Sequence, residues 1–217
     1  FCFGSGLSPT DPNFSVFDDW VHEPAYLCGL IAGELTESNI ISVVAGKPVA
    51  EINRLLNAFQ RGVKEVNSEA KVRFKYIDAW FDPGRADRAA RREIEAGADI
   101  IYGERFGTLR ACQDADILAF GNLQDQNSLA PDTVVTGPVW DMFPTVQRVI
   151  EDVREERYRA MDYRQWSLMA KGGAYLATYH AFEGRLPFDL KELVDERRRR
   201  ILSGTYRVLI DESTPVS

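Results

Sequence analysis

Five short segments of this chain combine aromatic rings with hydrogen-bonding groups. They are Gly46-Lys47-Pro48, Asp78-Ala79-Trp80-Phe81, Gly103-Glu104-Arg105-Phe106, Gly121-Asn122-Leu123-Gln124-Asp125 and Gly137-Pro138-Val139-Trp140-Asp141. Aromatic faces stack flat rings, while carboxylates and amides fix hydroxyls. Together they suit a nucleoside or a sugar held between rings. The candidate clamp is Trp80, Phe81, Phe106 and Trp140, and the candidate polar contacts are Glu23, Glu104, Arg105, Asp125 and Asp141. Taken singly, Trp80 or Phe81 reads more readily as core, and Asp82 as a helix cap. The signal is that all five segments fall at the ends of expected strands.

Catalytic signatures are missing. No GxGxxG follows a strand, and there is no P-loop, HExxH or GxSxG. His22 leads into a helix and His180 sits among Tyr175, Tyr179 and Phe182, and both read as structural or surface residues. Carboxylates alone can do acid–base work, so this lowers the enzyme reading without removing it. Cys2, Cys28 and Cys112 are too widely spaced for a metal set and read as three buried thiols. No cofactor is called for.

The elements that must position these residues follow a βα repeat. Ile40 to Ala45 is an apolar run, followed by a helix with its stripe at Ile52, Leu55, Leu56, Phe59, Val63 and Val66. Val72, Phe74 and Tyr76 alternate with Arg73 and Lys75, giving a strand with one wetter face. Asp82-Pro83 fits the cap and first position of a helix that Gly97 ends. Strands are expected at 100–102, 117–120 and 134–139, with a short helix around Leu109. Before the first strand, a helix from about Pro24 to Leu35 carries Gly29 and Gly33, which predict close packing on a sheet. Beyond Trp140, helices are expected at 146–157 and 190–202. Leu168 to Phe182 reads as strand or loop, and the Arg197–Arg200 run as a solvated helix end. Strands alternating with helices make an α/β fold with a parallel, doubly wound sheet, whose ligands lie beyond the carboxyl ends of the strands.

Composition sets limits on partners. Against 26 basic side chains stand 33 acidic ones, for a net charge of -7. An acidic surface repels phosphate backbones, so nucleic acid is not expected as a partner. No uninterrupted apolar run reaches membrane-spanning length.

Several stretches resemble the basic membrane protein family of solute-binding lipoproteins, whose characterised members bind purine nucleosides for ABC importers. The carrying residues are Glu23-Pro24-Ala25-Tyr26-Leu27-Cys28-Gly29 with Ala32-Gly33, then Ile41 to Pro48, then Asn53-Arg54 with Asn57-Ala58-Phe59 and Gly62. Trp80-Phe81-Asp82-Pro83, Gly97-Ala98-Asp99-Ile100-Ile101, Ala130-Pro131-Asp132, Val135-Thr136 and Ile201-Leu202-Ser203-Gly204 continue the pattern. The similarity covers nearly the whole chain.

The resemblance implies a type I periplasmic-binding-protein fold, two α/β lobes closing on a ligand. Residues 1–18 would end the N-terminal lobe, 19–138 would form the other lobe, 139–166 would return to the first, and 167–217 would recross and close with a helix. It also implies a further N-terminal portion, so an exposed apolar edge or helix face is expected near residues 1–18. The implied partners are a nucleoside-like solute and an ABC transporter permease. The implied place is the periplasm or cell surface, with membrane contact only through a lipoprotein anchor outside this chain. Two positions depart from the family. Leu123 stands where a carboxylate is common, and Trp140 where many members have lysine. The ligand is therefore open to a related heterocycle or another small polar solute. A ligand-sensing domain of a regulator or receptor, and a nucleoside-processing enzyme, are the alternatives.

Overall fold

The computed structural model describes residues 1–217. Its centre is a five-stranded, all-parallel sheet built from β3 (Ile40–Ala45), β4 (Lys71–Tyr76), β5 (Ile100–Gly103), β6 (Leu118–Phe120) and β7 (Val134–Thr136). The order is β4-β3-β5-β6-β7, so the chain reverses its direction of winding beside β3. At such a reversal the loops beyond neighbouring strands diverge and leave a crevice.

Alternation along the strands sorts side chains to two helical layers. Ile41, Val43, Ala45, Ile100, Tyr102 and Phe120 join one core with helices α1 (His22–Leu35), α2 (Ala50–Val66) and α6 (Phe188–Leu202). Val44, Ile101, Ala119 and Val134 face the other way, onto α3 (Pro83–Glu95) and α4 (Thr108–Asp114). The expected caps hold: Asp82 accepts the Arg85 amide at 2.9 Å, and Gly97 leaves α3 at φ +94°. The wetter face of β4 is also found, with Arg73 and Lys75 turned to Glu93 of α3 at 3.6 and 3.4 Å.

Outside this sheet lie two short pairs. β1 (Cys2–Gly4) and β2 (Ser15–Phe17) run parallel, and β8 (Pro138–Trp140) pairs antiparallel with β9 (Ala174–Leu176). Helix α5 (Phe143–Arg154) is tied to β2 through Tyr163, whose amide donates to the Val16 carbonyl and whose hydroxyl donates to Asp152 at 3.0 Å. Exposed apolar surface lies where it was expected. Phe1, Phe3 and Leu7 are open to solvent, and so are Phe143, Val146, Ile150 and Val153, a helical stripe along α5.

Four expectations are corrected. The strand expected over 134–139 breaks at Gly137, where an added Cβ would meet the Gly121 carbonyl oxygen at 2.6 Å. There the chain leaves the sheet, and the Gly137 carbonyl accepts the Ala177 amide instead. Gly29 and Gly33 pack against α2 and not the sheet. A Cβ on Gly29 would lie 2.1 Å from the Phe59 oxygen, and one on Gly62 would lie 2.1 Å from the Tyr26 oxygen. Arg197 is not a solvated cap residue: it pairs with Glu65 at 2.6 Å and lies over the Tyr206 ring. Cys28 and Cys112 are buried thiols, but Cys2 is only half-buried.

Candidate functional site

A cleft of about 480 Å³ opens between the β1–β2 side and the carboxyl rim of the five-stranded sheet. Phe17, Asp18 and Trp20 line one wall, Glu51, Arg54 and Trp80 another, with Asp162, Arg164 and Glu212 at its margins. Local structure explains the placement. Strand β2 ends at Phe17, so Asp18-Asp19-Trp20 form the link into α1. Helix α2 begins at Ala50, immediately beyond the end of β3, so Glu51 and Arg54 fall on the turns nearest the rim.

Arg54 is the centre of this site, with 5% of its side chain exposed. Its Nη2 donates to the Asp18 carboxylate and, at 2.9 Å, to the Asp19 carbonyl, while Nη1 donates to Glu212 Oε1 at 3.2 Å. Its plane stacks on Trp20 at 3.9 Å. A guanidinium can be buried only when its charge and donors are matched, and here every wall supplies a partner.

The carboxylates around it are crowded. Oxygens of Asp18, Asp19 and Glu51 lie within 4.8 Å of one another. Burial pushes the Asp19 carboxyl well above its usual range, and the charges of Glu51 and Asp18 push it further, against Arg54. Glu51 is raised by burial and by Asp18. These three groups offer oxygen ligands of the kind hard cations take, although Arg54 already compensates part of the charge.

The rim behind Trp80 is tied together by Glu104. Its Oε2 accepts the Gly46 amide at 2.9 Å and Arg105 Nε at 2.8 Å, and Oε1 accepts Arg105 Nη2 at 2.7 Å. Asn122, beyond β6, donates to the Glu104 carbonyl at 3.2 Å. Three strand ends are thereby linked. Burial raises the Glu104 carboxyl, and Arg105 and the Gly46 amide oppose the rise. Arg105 in turn lies 5.2 Å from the Trp80 ring centre, with Lys47 at 5.7 Å. Cations beside an aromatic ring are attracted by its quadrupole, so Trp80 is held at the mouth while 49% of it stays open.

The nine residues singled out from sequence are therefore not one cluster. Trp80 lines the cleft. Arg105 supports it, and Glu104, with 1% of its side chain exposed, acts through Arg105. Phe81 and Phe106 are exposed on the outer rim, outside the lining. The other four lie outside the lining, on α1, in the loop after β6, at the end of β8 and just beyond it. Glu23 accepts the Met169 amide at 2.8 Å, and burial raises its carboxyl. Asp125 holds His180 at 2.6 Å. Trp140 packs on Phe17 at 6.2 Å between ring centres and reaches Ser167 at 3.4 Å. Asp141 accepts the Phe143 amide at 2.8 Å at the start of α5. Missed by the sequence reading were Asp18, Asp19, Trp20, Glu51, Arg54 and Glu212. The available signal was Asp18-Asp19-Trp20 just past a short strand.

Comparison with known proteins gives a consistent neighbourhood. Residues 1–165 match the Bmp family, described as ABC transporter substrate-binding protein PnrA-like. A purine-binding protein of Brucella abortus (strain 2308) is 29% identical over 197 residues, 90% of this chain and 55% of that protein. A putative ABC transporter glucose-binding protein, TsgA13 of Haloferax volcanii, is 31% identical over 195 residues, 78% of this chain and 49% of that protein. The chain thus spans about half the length of the curated relatives it matches. Among solved structures, a transcriptional activator of the comK gene from Bacillus halodurans superposes with a TM-score of 0.81 at 18% identity, covering 95% of this chain and 71% of that one. An ABC transporter solute-binding protein from Conexibacter woesei DSM 14684 gives 0.72 at 20% identity, covering 97% and 71%. No helix is long and apolar enough to cross a membrane.

Proposed function

This chain belongs to the Bmp family of PnrA-like ABC transporter substrate-binding proteins, and from that premise we propose that its cleft captures a small polar solute for an ABC importer. The observation that carries the reading is the half-open Trp80 ring, fixed by Arg105 and Lys47, beside a hollow with charged walls. A flat ring or sugar face packs on Trp80, and its hydroxyl or amine hydrogens meet the carboxylates. A purine, a purine nucleoside and a hexose all fit this chemistry, and relatives described as purine-binding and glucose-binding support the choice of class.

In this reading residues 1–18 and 139–166 belong to one lobe, 19–138 form the other, and 167–217 recross. Ligand touches both lobes only when they close, so it shifts the population toward the closed form. The site binds and releases its solute unchanged, outside the cytoplasm, and passes it to a permease. Calorimetric titration with adenine, adenosine and D-glucose tests this. Saturable binding of one of them, with the compound recovered intact, is expected; heat from none of the three sinks the reading. A sensory role for the same cleft is the second reading, favoured by the close superposition on a transcriptional activator. Binding of solute without binding to a permease would select it.

A further inference from the structure

Residues 205–217 have no regular secondary structure, yet 211–216 are held tightly against α2. Asn53, Asn57 and Gln60 project from one face of that helix at spacings of four and three. Asn53 Nδ2 donates to the Glu212 carbonyl at 3.1 Å, Asn57 Nδ2 to those of Asp211 and Ser213 at 2.9 and 2.8 Å, and Gln60 Nε2 to that of Val216 at 2.7 Å. This row of amides pins an extended strap by its main chain, which leaves its side chains free to be aimed. Asp211 spends its carboxylate on Ser213, at 3.0 and 2.6 Å, within the strap. Glu212 points the other way, into the cleft, where its Oε1 meets Arg54 and 44% of its side chain stays open.

Arg54 directs three hydrogen bonds at Asp18, the Asp19 carbonyl and Glu212 and lays its face on Trp20, so its charge is largely matched by carboxylates before a ligand arrives. We propose, resting on the solute-binding reading above, that Glu212 is a specificity-determining residue. Its carboxylate accepts hydroxyl or amine hydrogens from the solute and repels phosphorylated forms of the same compounds. The strap is then a wall of the site, and the amides of Asn57 and Gln60 are positioning groups that act through Glu212.

The test compares adenosine and D-glucose with their 5′- and 6-phosphates, by calorimetry, on the parent chain, on Glu212→Gln and on the Asn57→Ala/Gln60→Ala pair. The parent should bind an unphosphorylated compound and discriminate against its phosphate. Glu212→Gln, which keeps shape and removes charge, should weaken that binding about tenfold and narrow the discrimination, as loss of a charge-assisted hydrogen bond does. The double variant touches no cleft-lining group and should move both quantities in the same direction. Thermal unfolding of each variant shows whether the fold is intact. Parent-like affinity and discrimination in a folded Glu212→Gln overturn the proposal and leave the solute-binding reading standing. Equal or tighter parental binding of the phosphates also overturns it. If the parent binds none of the four and adenine does not bind either, the solute-binding reading fails, and this inference with it.

Discussion

The guanidinium carbon of Arg54 lies 3.9 Å from the centre of the Trp20 ring, and the same side chain reaches Asp18 on one side and Glu212 on the other. One residue of α2 therefore joins the link into α1, the strap and the cleft. Removing its charge strands Asp18, Asp19 and Glu51 together. Arg54→Leu is expected to destabilise the chain by about 3 kcal/mol, the usual cost of breaking one side of a buried ion pair. Urea unfolding at neutral pH checks it, and an unchanged midpoint would mean that the ion pairs of Arg54 contribute no net stability.

Trp80 lines the cleft with 49% of its surface open. Trp80→Ala should weaken solute binding by about 1–3 kcal/mol, the worth of one stacked ring, with little change in thermal stability. Calorimetry with whichever probe the parent binds measures it. Unaltered affinity would remove the ring from the site.

His22 opens α1 in full burial, edge-on to Trp20, with Nδ1 lacking a hydrogen-bond partner. Burial, helped by the positive charge of Arg54, pushes its pKa down to about 4. The folded state thus holds the neutral ring in preference. Its contribution to stability is full above the ordinary histidine value and is lost as pH falls from 6.5 through about 4. His22→Phe keeps the ring and removes the titration. Between pH 6.5 and 4 the parent should lose about 3 kcal/mol more stability than this variant. Parallel curves would show that the ring is protonated without penalty.

The stripe Phe143, Val146, Ile150 and Val153 presents a continuous apolar face on α5. Patches of this kind bind apolar dyes and promote association. Val146→Ser with Ile150→Ser should lower dye fluorescence and light scattering without lowering the unfolding temperature. A matching loss of stability would show that the stripe is internal packing in solution.

Much of the fold was legible because short apolar runs and helical stripes alternate with turn residues throughout 40–136. Trp80 was found by its position at a strand end. Arg54 was not, because its partners stand 36 and 158 positions away and no local spacing announces them. Glu104 was legible as a rim residue but not as a buried one, since only packing turns it under Arg105. The break at Gly137 escaped notice because the residues on both sides are apolar and β-prone, and the carbonyl that crowds it belongs to Gly121.

The Gly29–Gly62 crossing sets how this molecule can move. The backbones of α1 and α2 touch so closely there that neither can slide past the other. Helix α1 departs from the link at Asp18-Asp19-Trp20, and α2 carries Glu51 and Arg54 at its cleft end. Helices locked in this way form one unit, so in the proposed closing of two lobes Glu51 and Arg54 would travel together with the start of α1.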